Sequence, residues 1–210
     1  MIEARSDGSL HYLIRFPDDY QHGQRCPVLL HIHGAGGRGT DLERLKETGV
    51  MAEAQHDNPG LRPFILVEPQ CASDSWFDRF ERLLAFCEHI FAADYTDQSR
   101  FYLSGISMGG YTAYQLMMSR PELFTAAMVC CGGGMYWNAA RLKQIPLRIF
   151  HGMDDTTVYP EESIRMASRV NSSGGSAQLY LFSACGHDCW TRVYANPDHY
   201  TWLLMHRKEV

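Results

Sequence analysis

Six short apolar runs recur along the chain, and stretches with helical spacing of apolar residues separate them. Most of the runs are apolar throughout rather than alternating with polar residues, which is typical of strands covered on both faces in a parallel sheet. The runs are PVLLHIHG (27–34), FILVEPQ (64–70), FYLSGIS (101–107), AAMVCCGG (126–133), LRIFHG (147–152) and AQLYLF (177–182). They predict six strands of a mostly parallel sheet.

The segments between these runs have the pattern of helices. In FDRFERLLAFCEHIF (77–91), apolar residues from Phe77 to Phe91 fall on one face at spacings of three and four. YTAYQLMMSR (111–120) directly precedes a proline, and PEESIRMASRV (160–170) opens with a proline suited to the first turn of a helix. Strand and helix therefore alternate along the chain.

This alternation predicts an α/β fold, a doubly wound, mostly parallel sheet flanked by helices on both faces. A further run near the start, LHYLIRF (10–16), predicts an antiparallel edge strand. The chain has no internal repeat and no linker-like segment, and 210 residues suit one sizeable core better than two. We expect a single domain over residues 1–210.

Composition and charge disfavour several classes of function. A net charge of -5 gives no basic surface for nucleic acid. No apolar run approaches the roughly 20 residues that span a bilayer, and the N-terminus lacks the pattern of a secretion signal. Seven unevenly spaced cysteines favour a reducing cytosol over a disulfide framework. We expect a cytoplasmic protein, monomeric or homo-oligomeric, that binds neither nucleic acid nor membrane.

A serine stands between glycines directly after the third run. Gly105, Ile106, Ser107, Met108 and Gly109 spell G-x-S-x-G, the pattern of a nucleophile elbow. This tight strand-to-helix turn exposes the serine oxygen at the positive end of the next helix, at the sheet edge where ligands bind. A turn that only caps a helix is the alternative interpretation.

A serine hydroxyl is a weak nucleophile, so it needs a base, and the base needs an orienting carboxylate. After such an elbow these residues follow in the order Ser, Asp or Glu, His. HGMDDTTVYP (151–160) offers Asp154 and Asp155 after the fifth run, and CGHDCW (185–190) offers His187 after the last. Adjacent aspartates cannot both point at His187, so one of them is structural.

Acyl transfer also needs two hydrogen-bond donors for the developing oxyanion. The backbone N–H of Met108, the residue after the serine, is one candidate. The glycine-rich segment HGAGGRG (33–39) supplies the other, for which we favour Ala35, with Gly34 and Gly36 as alternatives. Its glycine spacing matches neither a dinucleotide fingerprint nor a Walker loop, which disfavours a phosphate cradle.

Four other side chains near these motifs fit structural roles better. His33 and His151 each precede a glycine at the end of a strand, where a hydrogen-bonded structural histidine is the favoured interpretation. Cys185 and Cys189 flank His187 and suggest a metal site, but that histidine is already assigned and no fourth ligand is evident. The sequence predicts no metal and no organic cofactor.

The motifs GISMGG, HGAGG, HGMDDTTV and GHDCW together resemble the α/β-hydrolase superfamily. The similarity is to compact bacterial carboxylesterases and phospholipases, a group that includes dienelactone-hydrolase-like and feruloyl-esterase-like proteins, and it extends from about Pro27 to the C-terminus. In these relatives the acid follows H-G-x-x-D-x-x-V, so the resemblance implies Asp155 rather than Asp154. Dienelactone hydrolases carry cysteine at the elbow, so Ser107 makes that activity unexpected.

The resemblance implies a serine hydrolase that cleaves carboxylic esters through an acyl-enzyme. Ser107 is the expected nucleophile, His187 the base and Asp155 its orienting acid. A carboxylesterase for short acyl or aryl esters, free or carried on carbohydrate, is the favoured function. A peptidase or thioesterase with the same residues, or a non-catalytic binding module on a hydrolase fold, are the alternatives.

The segment GGGMYWNAARLKQIP (132–146) leaves no room for the helical lid that larger hydrolases insert there. We therefore expect an α/β-hydrolase fold without a lid domain and with an open, shallow site. Gly34, Trp76, Tyr136 and Trp190 are expected to contact substrate, the aromatic rings by stacking on a sugar or phenolic ring. Ordinary packing of large apolar side chains is the alternative for each aromatic residue.

Overall fold

An eight-stranded sheet forms the centre of the protein, which the computed structural model describes over residues 1–209. Its order is β1-β2-β4-β3-β5-β6-β7-β8, and neighbours from β4 to β8 run parallel. The strands are β1 (Ile2–Ser6), β2 (His11–Arg15), β3 (Cys26–Ile32), β4 (Ile65–Pro69), β5 (Thr96–Ile106), β6 (Ala127–Cys130), β7 (Leu147–Gly152) and β8 (Ala177–Phe182). The predicted doubly wound, mostly parallel sheet is confirmed.

Two antiparallel strands lie at the N-terminal edge of the sheet. β2 pairs with β1 on one side and with β4 on the other. The prediction that LHYLIRF forms the edge strand is therefore wrong in position, because β1 covers its outer side. β1 has the sequence IEARS and mostly exposed side chains, so it lacks the apolar run that reveals the other strands.

Six helices cover the two faces of the sheet. α2, α3 and α4 contribute buried residues to one apolar core, and α1, α5 and α6 contribute to the other. They are α1 (Gly49–Gln55), α2 (Phe80–Ala92), α3 (Met108–Ser119), α4 (Glu161–Ser172), α5 (Trp190–Tyr194) and α6 (Pro197–Leu204). Among residues 1–209, no helix combines the length and apolar character needed to cross a membrane.

The central strands are apolar at nearly every position because they feed both cores. Along β3, Val28, Leu30 and Ile32 belong to one core, while Leu29 between them belongs to the other. Successive side chains of a strand point to opposite faces, so a sheet covered on both sides needs apolar residues at odd and even positions alike. This accounts for the uninterrupted apolar runs.

The buried face of α2 differs from its prediction at one end. Phe77 is 52% exposed, because the α-helix begins only at Phe80 and a short 3-10 turn (Trp76–Arg79) precedes it. Phe86 and Ile90 are buried in the core, and they complete the face with Leu83. The sequence analysis continued the helical spacing back to residue 77 and so placed Phe77 on the buried face, which is wrong.

Glycine is required where β5 turns directly into α3. A Cβ atom at Gly109 would lie 2.0 Å from the carbonyl oxygen of Ile32, and one at Gly105 would lie 2.3 Å from the carbonyl oxygen of Gly109. The start of α3 thus touches the end of β3 backbone to backbone. Any side chain at these two positions would push the helix off the sheet.

We expect Gly109→Ala to lower the free energy of unfolding by about 3 kcal/mol, the upper end of the usual cost of overpacking a core. The neighbour that the new methyl group meets is backbone, which cannot rotate away as a side chain can. Urea unfolding followed by circular dichroism measures the loss. Gly36→Ala is the matched control, because a Cβ there meets nothing within 4 Å. Equal unfolding midpoints for the two variants would contradict this close contact.

Candidate active site

Ser107 occupies the turn between β5 and α3 in a backbone conformation that few residues with a side chain adopt. Its φ is 54° and its ψ is -118°. Hydrogen bonds hold the turn, because the Ser107 amide donates to the Cys130 carbonyl at 2.9 Å and the Ser107 carbonyl accepts from the amides of Gly110 and Tyr111. Strained backbone of this kind persists where the surroundings over-determine it, commonly at functional sites.

The Ser107 hydroxyl, the His187 imidazole and the Asp155 carboxyl form one hydrogen-bonded row. Ser107 Oγ lies 2.9 Å from His187 Nε2, and His187 Nδ1 lies 2.6 Å from Asp155 Oδ2. The three side chains follow β5, β8 and β7 at the same edge of the sheet. Asp154 is exposed and takes no part in the row. The structure thus brings together the three residues that the sequence predicts.

The Asp155 carboxyl is buried and accepts hydrogen bonds at both oxygens. Oδ1 accepts from the amides of Thr157 at 2.8 Å and Val158 at 3.0 Å, while Oδ2 faces His187. Burial favours the protonated form, but these hydrogen bonds outweigh it and lower the pKa of Asp155. At neutral pH the residue is therefore a carboxylate held in a fixed plane.

His187 lies in the loop between β8 and α5, where Cys131 and Trp190 contact it in addition to Asp155. The Cys131 thiol donates to the His187 carbonyl at 2.9 Å, and the Trp190 ring stands edge-on to the imidazole at 5.2 Å between centroids. The Cys131 sulfur and the Asp155 carboxylate raise the pKa of His187 above its ordinary value of 6.5, against an opposing effect of partial burial.

The two predicted oxyanion donors both begin a helical turn. Met108 is the first residue of α3, and Ala35 is the first residue of a short 3-10 turn (Ala35–Gly37). Amides at such positions have no acceptor inside their own helix. A Cβ atom at Gly34 would lie 3.5 Å from the Ser107 Cβ, so this loop passes directly beside the serine. The role of both amides stays a prediction.

His33 supports the glycine-rich loop from below. Its Nε2 accepts the Cys71 amide at 3.0 Å, so Nδ1 carries the hydrogen that is donated to the Gly34 carbonyl at 2.6 Å. Burial lowers the pKa of His33 to about 4, which keeps the ring neutral. His33 therefore has a structural place, as the sequence favours.

The prediction that Trp76 contacts substrate is wrong. Its side chain is 0% exposed, and its Nε1 donates to the carbonyl oxygen of His33 at 3.3 Å. The indole packs against the His33 ring, with centroids 5.0 Å apart. The large ring fills the space under the glycine-rich loop, so it holds the loop in place from inside the protein.

A cleft of about 260 Å³ opens at Ser107. Of the predicted substrate contacts, Gly34 and Trp190 line it. Tyr136 is not among the described residues that line the cleft; it is exposed on a 3-10 turn (Tyr136–Leu142), where Arg165 lies over its ring. The lining residues are Gly34, Ala35, Gly36, Gly37, Thr48, Ile106, Ser107, Thr157, His187 and Trp190.

Sequence analysis did not predict four of these lining residues; one of them, Gly37, lies inside the glycine-rich segment HGAGGRG. Thr157 had a usable signal, because it lies two residues after Asp155 in a motif already identified. Ile106 likewise lies inside the G-x-S-x-G pattern. Thr48 lies in a segment without any motif, so only the fold places it at the cleft.

Cys131, His151 and Asp155 lie close enough to share a metal ion, with candidate ligand atoms within 4.8 Å of one another. The Cys189 thiol and burial raise the pKa of Cys131 well above its ordinary value of 9.0. A protonated thiol that donates to a carbonyl is a poor ligand. The three side chains fit a hydrogen-bonded cluster better than a metal site.

Comparison with known proteins gives a match to part of one family profile and a distant relative. The sequence profile of the prolyl oligopeptidase family of peptidases matches residues 78–138, which include the serine turn. The chain is 22% identical over 178 residues to the probable feruloyl esterase C of Aspergillus flavus, a match that covers 81% of this chain and 64% of that protein.

Solved structures share the fold over almost the whole chain. A thermostable esterase superposes with a TM-score of 0.85 at 28% identity, over 99% of this chain and 63% of its own. Dipeptidyl peptidase 4 of Porphyromonas gingivalis superposes with a TM-score of 0.74 at 14% identity, over 98% of this chain and 35% of its own. The chain thus spans less than two thirds of each of these proteins. The chain has the α/β-hydrolase fold, and the resemblance to esterases of that superfamily that its motifs indicate is confirmed.

Proposed function

We propose that the protein is a serine hydrolase that cleaves carboxylic esters through an acyl-enzyme. The observation that carries this proposal is the row from Ser107 through His187 to Asp155, with spacings of 2.9 and 2.6 Å, at the end of an open cleft. Esterases among the relatives and similar structures support the same reaction.

In the first half of the reaction, Ser107 Oγ attacks the carbonyl carbon of the ester. His187 Nε2 takes the hydroxyl proton, and Asp155 stabilises the imidazolium that forms. The tetrahedral oxyanion accepts hydrogen bonds from the amides of Ala35 and Met108. The imidazolium then gives its proton to the leaving alcohol, and the acyl group stays on Ser107.

In the second half, water replaces the alcohol. His187, neutral again, takes a proton from a water molecule that attacks the acyl carbonyl. The resulting tetrahedral species collapses with return of the proton to Ser107 Oγ and release of the carboxylic acid. Because Asp155 is a buried carboxylate with a lowered pKa, it keeps the His187 N–H on Nδ1 throughout both halves.

The cleft supports short acyl or aryl groups as the acyl part of the substrate. Its volume of about 260 Å³ is small for a ligand site, and Ile106 and Trp190 give it apolar walls. Residues 131–146, between β6 and β7, form only a 3-10 turn (Tyr136–Leu142), so this segment supplies no helical lid. An ester carried on a carbohydrate is therefore a fitting substrate, in keeping with the feruloyl esterase relative.

A peptidase is the second candidate, because the prolyl oligopeptidase profile matches the segment that contains Ser107. The same row can protonate an amine leaving group as well as an alcohol. An ester needs less help in this step, since an alcohol leaves more readily than an amine. The described residues that line the cleft include no acidic side chain that would bind a free peptide N-terminus, which disfavours an aminopeptidase.

We expect the wild-type protein to hydrolyse short p-nitrophenyl esters faster than aminoacyl amides, and Ser107→Ala to lose ester turnover by about 10⁵-fold or more. The substitution removes the attacking oxygen and leaves the fold unchanged. Initial rates on both substrate panels measure the preference. Faster amide than ester turnover would reverse the ranking of the two functions. Full ester turnover by a folded Ser107→Ala protein would remove the serine mechanism.

The two adjacent aspartates offer a matched pair of variants. Asp155→Asn should lower kcat by about 10⁴-fold, because the amide cannot hold the proton on His187 Nδ1 in the same way. Asp154→Asn should leave kcat within about twofold, since its carboxyl is exposed. Steady-state kinetics with one p-nitrophenyl ester compare the variants. Equal losses of kcat in both variants would show that turnover depends on negative charge near the cleft and not on the hydrogen-bonded row.

The pH dependence follows from the state of His187. The ring must be neutral to accept the Ser107 proton, and its pKa is raised above 6.5. Activity is therefore lost as pH falls through a midpoint above 6.5. A profile of kcat/KM against pH measures this midpoint, with circular dichroism at each pH to show that the protein stays folded. A midpoint at or below 6.5 would contradict the raised pKa.

A further inference from the structure

The mechanism above leaves one histidine beside the row unused. His151 lies near the end of β7, its side chain is 0% exposed, and it contacts the Asp155 carboxylate together with His187. A buried imidazole against a buried carboxylate is costly to place in a core unless its hydrogen bonds are satisfied. The hydrogen-bond partners of His151 therefore indicate the role of its ring.

The Nε2 atom of His151 faces two acceptors. It lies 2.9 Å from the Val158 carbonyl oxygen and 3.2 Å from Asp155 Oδ2. A carbonyl oxygen and an ionised carboxylate can only accept, so Nε2 carries the hydrogen. Of the two oxygens, the Val158 carbonyl accepts the hydrogen bond, and Asp155 Oδ2 lies close beside the same N–H. Asp155 Oδ2 is the same oxygen that accepts the Nδ1–H of His187.

The opposite nitrogen anchors the ring to α4. His151 Nδ1 lies 2.7 Å from Ser163 Oγ, and the same hydroxyl lies 3.2 Å from the Gly132 carbonyl oxygen. Ser163 is 0% exposed, so these bonds do not exchange readily with water. The ring plane is thereby fixed from one side, and Nε2 has a single direction in which to donate.

We propose that His151 is a positioning residue for catalysis: its Nε2–H donates to Asp155 Oδ2, so this oxygen is held between two imidazoles. With the Thr157 and Val158 amides on Oδ1, every face of the carboxylate is then occupied by a donor. The carboxylate cannot rotate, and His187 keeps its alignment with Ser107. This proposal rests on the hydrolase function proposed above.

The second donor also limits how strongly Asp155 holds a proton on His187. A carboxylate oxygen that shares its charge with His151 stabilises the His187 imidazolium less than an unshared one would. Asp154 and Asp188, the chain neighbours of the pair, are exposed, and Glu162 of α4 lies near Tyr111. The remaining titratable groups beside the pair include Cys131 and Tyr111, whose pKa values neighbouring groups and burial raise. Both are uncharged at neutral pH.

Two amide substitutions test the two ring nitrogens of His151 independently. In His151→Gln the amide nitrogen falls near the position of Nε2 and can still donate to Asp155. In His151→Asn it falls near the position of Nδ1, where it can donate to the Ser163 hydroxyl oxygen, but it no longer reaches Asp155. Both variants replace a buried ring by a smaller polar side chain, so a general loss of packing affects them alike.

We expect His151→Asn to lower kcat by about tenfold with little change in KM, and to move the acidic limb of kcat/KM upward by about one pH unit. The limb moves upward because Asp155, without its second donor, stabilises protonated His187 more strongly. His151→Gln should stay close to wild type in both respects. The wild-type acidic limb in a folded Asn variant, or the same loss in both variants, would overturn the positioning role.

A readout without substrate keeps this proposal separate from the proposed function. NMR titration of the His187 ring carbon-bound protons, assigned by their absence in His187→Gln, gives the pKa of His187 in each variant. We expect an upward shift in His151→Asn and none in His151→Gln. If the Asn variant does not fold, a shifted titration in the Gln variant overturns the proposal and an unshifted one supports it. A wild-type protein without hydrolase activity would reject the function and leave this titration valid.

Discussion

The contact between the start of α3 and the end of β3 is the constraint on which the site depends. Gly109 meets the Ile32 carbonyl backbone to backbone, and the glycine-rich segment HGAGGRG begins at the next residue, His33. The same close approach therefore brings the serine turn and the loop with the predicted second oxyanion donor side by side. Trp76 and His33 fill the space under that loop, which turns a flexible glycine-rich segment into a defined wall of the cleft.

A second constraint acts at Asp155, where a buried charge is stabilised by donors from several elements. The turn after β7 supplies two amides, the loop after β8 supplies His187, and β7 itself supplies His151. Through Ser163 the arrangement extends to α4. The position of His187 is thus tied to packing on one face of the sheet, while Cys131 ties its backbone to the end of β6.

The sequence predicts those parts of the molecule that local pattern determines. Ser107 and His187 stand out because glycines flank them after apolar runs, whereas Asp155 is separated from Asp154 only by resemblance to relatives. Trp76 was misplaced because neither spacing nor composition says whether an aromatic ring faces a cleft or fills a gap under a loop. The polar strand β1 pairs through its backbone, so its side chains show no apolar pattern that would predict a strand. Thr48 reaches the cleft only through tertiary packing, which no local pattern shows.

All seven cysteines are free and buried, and they are spread over both cores and the loops around His187. An alkylating reagent in the solvent meets none of these sulfurs readily while the fold is intact. The rate at which each is modified is then set by how frequently its surroundings open. The rate at which each cysteine is alkylated therefore measures the local opening of the element that carries it. One of these cysteines lies on β3, one on α2 and several near His187.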